Sequence, residues 1–317
     1  MKALVLNDGK LAFESDRIEP EIPSGSTRVR VLQAGICETD LQLVKGYMGF
    51  AGVLGHEFVG IAESGPHAGQ RVVGEINCVC DSCEMCDRGL GNHCPQRTVI
   101  GILNHDGAFA ESLVVPEANL LAVPDDMSDD LATLVEPVAA ALQIPEQVDL
   151  MPGLRTVVLG DGRLGNLSAQ VLNAANCAVT VVGKHAAKLA RFDRMGISTC
   201  AVENAEPVKE ADLVIDCTGS DSGLPLALSL VRPRGTVVIK TTVAGKHALS
   251  LAPVVIDEIT LLGSRCGPFD KAIQAIQAGR FDLSDFVSAR YSLEQFEKAF
   301  EHARSPKALK VVFEIGS

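Results

Sequence analysis

The chain has no tryptophan and only two tyrosines, and aromatic residues fill just 4% of its 317 positions. That leaves little for nucleobases to stack on. Basic residues are also scarce: 28 Lys and Arg against 40 Asp and Glu give a net charge of −12. Nucleic acid and anionic membrane both call for clustered positive charge, so neither is expected as a partner. No apolar run reaches the roughly 18 residues of a membrane span. The apolar run inside Met1 to Lys10 is broken by Asn7, Asp8 and Gly9, too early for a signal peptide. A cytoplasmic protein is expected, and its ten cysteines read as thiols or metal ligands rather than disulfides.

What is present is ordinary globular material, 47% hydrophobic and 21% charged, in a chain long enough for two domains. Up to about residue 125 the sequence reads as short strands between turns. Val29 to Ala34, Val53 to Gly60 and Gln70 to Gly74 are candidates, and together they suggest a β-rich domain. Asp125 to Asp130 is a polar break, and Ser128 is placed to cap a helix from Leu131 to Ala141. From Arg155 the pattern changes to α/β. Thr156 to Leu159, Ala178 to Val182, Leu213 to Asp216 and Thr236 to Ile239 are continuous apolar runs, as in strands buried on both faces, and helical stretches separate them. This alternation predicts a doubly wound parallel sheet with right-handed crossovers. The apolar run Leu309 to Phe313 reads as a return to the first domain.

Cys80-Asp-Ser-Cys83-Glu-Met-Cys86, with Cys94 seven residues further on, is the densest chemical signal. Four thiolates close a tetrahedral shell around one zinc ion and leave no open position, which marks a structural site. The competing reading, a nucleic-acid-binding zinc ribbon, fits poorly with flanks that carry Asp81, Glu84 and Asp87 beside only Arg88 and Arg97.

Three other residues suggest a second metal. Cys37 and His56 sit in short motifs nineteen residues apart, and Glu136 is a carboxylate at an otherwise apolar helix start. One sulfur, one nitrogen and one oxygen with water in the fourth position would make an open, catalytic zinc site. Gly160-Asp161-Gly162-Arg163-Leu164-Gly165 follows an apolar strand and opens a helix, the context a dinucleotide-binding turn requires. Its glycines admit the pyrophosphate, and the amides beginning at Arg163 and Leu164 face it. The second strand ends in Val182-Gly183-Lys184-His185, with no acid in that segment. Lys184 or His185 could pair with a 2′-phosphate, so NADP is favoured over NAD. Arg265 is a further candidate for the cofactor.

Together these segments, with Asp106 to Glu111 and Glu136-Pro137, resemble the zinc-containing medium-chain dehydrogenase/reductase family over nearly the whole chain. The resemblance implies a GroES-like catalytic domain over 1–139, a Rossmann NAD(P)-binding domain over 140–267, and a return to the catalytic domain over 268–317. It implies that Cys37 and His56 hold the catalytic zinc, one of two zinc ions in all. Glu136 in the third position is similar to the polyol, sugar and threonine branch. Glu57 either joins the metal or forms an ion pair behind it, with Lys310 as the candidate partner, and Asp40 orients a ligand. The implied reaction moves a hydride between an alcohol, polyol or sugar and NAD(P), zinc acting as Lewis acid and Thr39 taking the proton. A homodimer or homotetramer is also implied. Gln42 stands where many relatives carry a His, which puts a histidine proton relay in doubt. The alternatives are a reductase that uses NAD(P)H without catalytic zinc, and a non-catalytic nucleotide-binding protein.

Overall fold

The computed structural model describes residues 1–206, 210–242 and 249–316. The chain divides into two compact units. One comprises Met1–Glu136, Ala272–Gln277 and Leu283–Ser317, the other Pro137–Lys271 and Ala278–Asp282. No helix among the described residues is long and apolar enough to cross a membrane.

The first unit is built on antiparallel strands. Its largest sheet runs in the order Leu120–Ala122, Arg71–Gly74, Glu57–Ala62, Ser26–Gly35, Lys310–Glu314 and Val287–Tyr291, with Ser112–Pro116 also paired to Ser26–Gly35. The late strand Lys310–Glu314 thus lies beside an early one, and Val312 pairs with Gly35. Helix Phe296–Arg304 makes the crossover between the two parallel late strands. Phe109 and Phe313 pack edge to face beneath this region with ring centres 5.0 Å apart.

Two expectations need correction here. Val53 to Gly60 is not one strand: Gly52–Val53 and Glu57–Ala62 belong to different sheets. Gly55, with φ of +96°, turns the chain between them. The helix expected from Leu131 to Ala141 is two helices, Asp129–Thr133 and Val135–Gln147. Ser128 does cap the first, accepting from Leu131 N at 3.3 Å. The break follows from Pro137, which has no N–H to offer the carbonyl of Thr133.

In the second unit six parallel strands form one sheet. Its order is Ser198–Ala201, Ala178–Gly183, Arg155–Leu159, Ala211–Asp216, Val231–Ile239 and Thr260–Gly263. In chain order this is 3-2-1-4-5-6, the arrangement of dinucleotide-binding sheets. Alternate residues bury on opposite faces. Val158, Val181, Ile215 and Val238 join one apolar cluster with Phe192, while Leu159, Val182, Val214 and Val237 join another with Leu228. This two-sided burial explains the unbroken apolar runs.

Candidate functional site

Strand register assembles the first site. Gly35 pairs with Glu57 across two antiparallel strands, so Cys37, just past one strand, and His56, just before the other, emerge at the same end. Cys37 caps the helix Glu38–Val44, and its backbone N–H donates to Asp40 Oδ2 at 2.8 Å. One potential donor atom each from Cys37, His56 and Glu57 lie within 4.8 Å of one another. Glu57 also receives a hydrogen bond from Lys310 Nζ, which donates to the Ile36 carbonyl as well, at 3.3 Å. Both members of this ion pair are almost wholly buried.

The surroundings are rich in negative charge. His56 Nδ1 faces Asp40 Oδ1 at 3.5 Å, and neither atom has another hydrogen-bond partner. Burial works against the charged imidazole, yet Asp40 and Cys37 outweigh it and raise its basicity well above the ordinary range. Glu136 stands outside the tight trio but feels it. Burial first, and then the charge of Glu57, push its carboxyl up to about 7, against the opposing pull of His56 and Lys310. Asp40, Glu57, Glu136 and Cys37 thus share one region with Lys310, and a divalent cation fits that donor set and charge. The sequence favoured Glu136 for the third ligand position and left Glu57 as the alternative; among the described residues the close trio contains Glu57. Thr39 Oγ1 is 3.8 Å from Cys37 Sγ. Gln42 is buried and its amide donates to Glu38 Oε1 at 2.9 Å.

The four-cysteine lobe gathers its sulfurs as a metal shell would. Cys83 lies 3.6 Å from Cys86 and 3.8 Å from Cys94, and Cys94 lies 3.5 Å from Cys80. Sulfurs placed about 2.3 Å from a central ion in a tetrahedron would be about 3.8 Å apart. None of the ten cysteines is in a disulfide. Cys78 is buried outside the cluster.

In the second unit, the first strand of the sheet leads through the glycine turn into helix Arg163–Ala174. A Cβ at Gly165 would lie 1.9 Å from the Gly160 carbonyl oxygen, so helix and turn touch directly. A Cβ at Gly162 would meet nothing within 4 Å. Gly162 is the N-cap and carries no side chain to occupy the helix amides, which leaves a cradle open to a pyrophosphate. Leu164 is partly exposed one residue into the helix, beside Arg163. Arg265 lies just past the sixth strand, its guanidinium 3.4 Å from Cys266 Sγ.

At the end of the second strand the structure departs from the sequence reading. A carboxylate is there after all, supplied by Asp161 from the glycine turn. It accepts the backbone N–H groups of Lys184 and His185 at 2.8 and 2.7 Å, and His185 Nδ1 lies 2.9 Å from its other oxygen. Burial favours the neutral acid, but these bonds win and hold Asp161 below the usual carboxylate range. The sequence contains the signal, but a residue read as a spacer in the glycine motif hides it.

Comparison with known proteins now adds to the geometry. The sequence pattern of the alcohol dehydrogenase GroES-like domain matches residues 23–125, and that of zinc-binding dehydrogenases matches 164–279. L-threonine 3-dehydrogenase of Rhizobium etli (strain CIAT 652) is 30% identical, covering 99% of this chain and 98% of its own. The chain belongs to the zinc-containing medium-chain dehydrogenase/reductase family. Alcohol dehydrogenase from Thermus sp. ATN1 superimposes with a TM-score of 0.87 at 28% identity, covering 99% of both chains. A zinc-binding dehydrogenase of Sinorhizobium meliloti, bound to NADP, superimposes with a TM-score of 0.88 at 25% identity, covering 99% of this chain and 98% of that one. Membership makes the β-rich unit GroES-like and the parallel-sheet unit Rossmann-like, and the protein an oxidoreductase of the dehydrogenase type.

Proposed function

We propose that this protein is a zinc-dependent, NAD(P)-linked dehydrogenase acting on a small hydroxyl compound: an alcohol, polyol or sugar, or a hydroxy amino acid of the kind named for its threonine dehydrogenase relatives. The observation that carries the proposal is the trio of half-buried Cys37 with buried His56 and Glu57. Zinc held there supplies Lewis acidity to the substrate oxygen. The nicotinamide cofactor supplies the hydride acceptor or donor.

The remaining work falls to the chain itself. Asp40, facing Nδ1 of His56, fixes the ring so that Nε2 is the ligand. Glu57 is the third ligand, and Lys310 behind it limits the negative charge it brings to the ion. Glu136, a buried carboxylate that feels the charges of His56 and Glu57, is the alternative third ligand. Thr39 Oγ1 would take the substrate proton while passing its own hydroxyl proton on toward the cofactor ribose. Gln42, an amide, cannot pass a proton onward as an imidazole would. The closed cysteine shell has no place for substrate and braces the first unit. Gly160, Gly162 and Gly165 receive the pyrophosphate with the amides that start at Arg163 and Leu164. Lys184 and His185 at the end of the second strand favour NADP, and Arg265 is an additional cofactor contact.

Metal analysis and turnover test this together. Two zinc ions per chain and NAD(P)H formation with at least one alcohol, polyol, sugar or hydroxy amino acid are expected. His56→Ala is expected to lose one zinc and all turnover while keeping the other ion. Full turnover by a His56→Ala protein with a single zinc would sink the proposal.

A further inference from the structure

Residue 161 is only a variable position in the glycine motif, yet its side chain reaches the end of the second strand. Its carboxylate takes two backbone N–H groups and the His185 ring, and its side chain is 7% exposed against 42% for His185. A carboxylate so engaged has little capacity left for a ribose hydroxyl. A ligand arriving at this strand end meets cationic groups instead. Lys184 is exposed, and Lys188, one helical turn past His185, is close enough to feel the charges of Asp161 and Arg163. Gly183 is tied to the same arrangement. A Cβ there would lie 2.6 Å from Asp161 Oδ2 and 2.7 Å from Asp161 Cβ. Leu189 Cδ2 would lie 2.8 Å away as well, but it is the end of a flexible side chain, whereas Asp161 is held by its hydrogen bonds to Lys184 and His185.

We propose that Asp161 is the positioning residue for cofactor choice: it occupies the place of a ribose-binding acid, turned inward, excludes any acid at position 183, and holds the Lys184–His185 segment toward a 2′-phosphate. This rests on the NADP preference given above. It makes a sharper statement, because positions 161 and 183 then form one exclusive pair. Placing an acid at 183 alone collides with Asp161. Moving the acid, by Asp161→Gly together with Gly183→Asp, removes both Asp161 contacts, leaves Leu189 Cδ2, the far end of a flexible side chain, to give way at 2.8 Å, and turns a carboxylate outward. Glycine rather than alanine is needed at 161, since the Cβ of residue 161 is itself one of the colliding atoms.

The test measures fragment binding by calorimetry, with adenosine 2′,5′-bisphosphate and 5′-AMP as probes, alongside melting temperature. The parent is expected to bind the bisphosphate at least about tenfold more tightly than AMP, as charge-assisted hydrogen bonds to one phosphate allow. His185→Ala should lower that ratio. Gly183→Asp alone should melt lower and weaken both probes. The Asp161→Gly/Gly183→Asp pair should recover the melting temperature and reverse the ratio in favour of AMP. Equal affinities in the parent would overturn the NADP reading itself. A selective parent whose Gly183→Asp variant melts normally and already prefers AMP would overturn the role of Asp161 and leave that reading intact.

Discussion

Lys310→Met removes the ammonium group that pairs with Glu57 while keeping much of its volume. Both partners of the pair are almost wholly buried, and Lys310 also satisfies the Ile36 carbonyl. Breaking one half of a buried ion pair costs about 3–5 kcal/mol, because the remaining charge has neither water nor partner. Here the stranded carboxylate also faces the other negative groups of the pocket. At about 2.1 cal/mol/K of unfolding entropy per residue, that corresponds in a chain of 317 residues to a fall in melting temperature of roughly 4–8 °C. Zinc changes the sum. A dication held by Cys37, His56 and Glu57 takes over as the counter-charge, so the penalty should shrink by at least about 1.4 kcal/mol when the metal is loaded. By linkage, the variant then binds zinc at the trio at least about tenfold more tightly. Unfolding of parent and variant, each with chelator and with saturating zinc, measures both differences, and the cysteine lobe cancels because it is common to both proteins. An identical loss of stability with and without zinc would refute the reasoning, since it would mean that Glu57 and the ion do not share charge.

Cys83→Ser opens the four-sulfur shell, and elemental analysis should find one zinc fewer with the trio's ion retained. Glu136 has its carboxyl pushed from 4.5 up to about 7, so the metal-free folded state holds a proton that the unfolded chain has released. Stability should therefore fall as pH rises from about 4.5 to 7, and Glu136→Gln should flatten that slope in a pH series of denaturant titrations. The two glycines of the nucleotide turn should separate folding from binding. Gly165→Ala forces a Cβ onto the Gly160 carbonyl and should lower the melting temperature, whereas Gly162→Ala meets open space and should melt normally while weakening NADP(H) binding in a fluorescence titration.

Much of this molecule was legible because burial writes itself into composition. The four inner strands of the parallel sheet are packed on both faces, so Thr156 to Leu159 and its counterparts carry no charged residue inside the run. The edge strands Ser198–Ala201 and Thr260–Gly263 pair on one side only and keep exposed or partly exposed residues, so nothing in their sequence stood out. The hairpin of Ala3–Asn7 and Lys10–Glu14 was missed although Asp8-Gly9, both at positive φ, is a strong two-residue turn signal. Local spacing revealed the cysteine lobe, whose ligands fall within one short segment. The trio is different: the register of Ser26–Gly35 against Glu57–Ala62 decides that Glu57 joins it, and register is a property of the assembled sheet. Asp161 escaped for a related reason, since its partners are 23 and 24 residues away, across a helix and a strand.

The position of Lys310 also bears on how the protein is made. Its partner Glu57 precedes it by 253 residues, with the whole parallel-sheet unit in between. At about 5–20 residues per second, a ribosome needs roughly 13–50 s to span that interval. Throughout that time the strand Glu57–Ala62 is outside the ribosome with an acid destined for the interior and no lysine to meet it. The early sheet also lacks the strand Lys310–Glu314 that will flank Ser26–Gly35. The first-made unit is therefore the last to close. Until it does, a divalent cation at the trio would supply the counter-charge that Lys310 later brings.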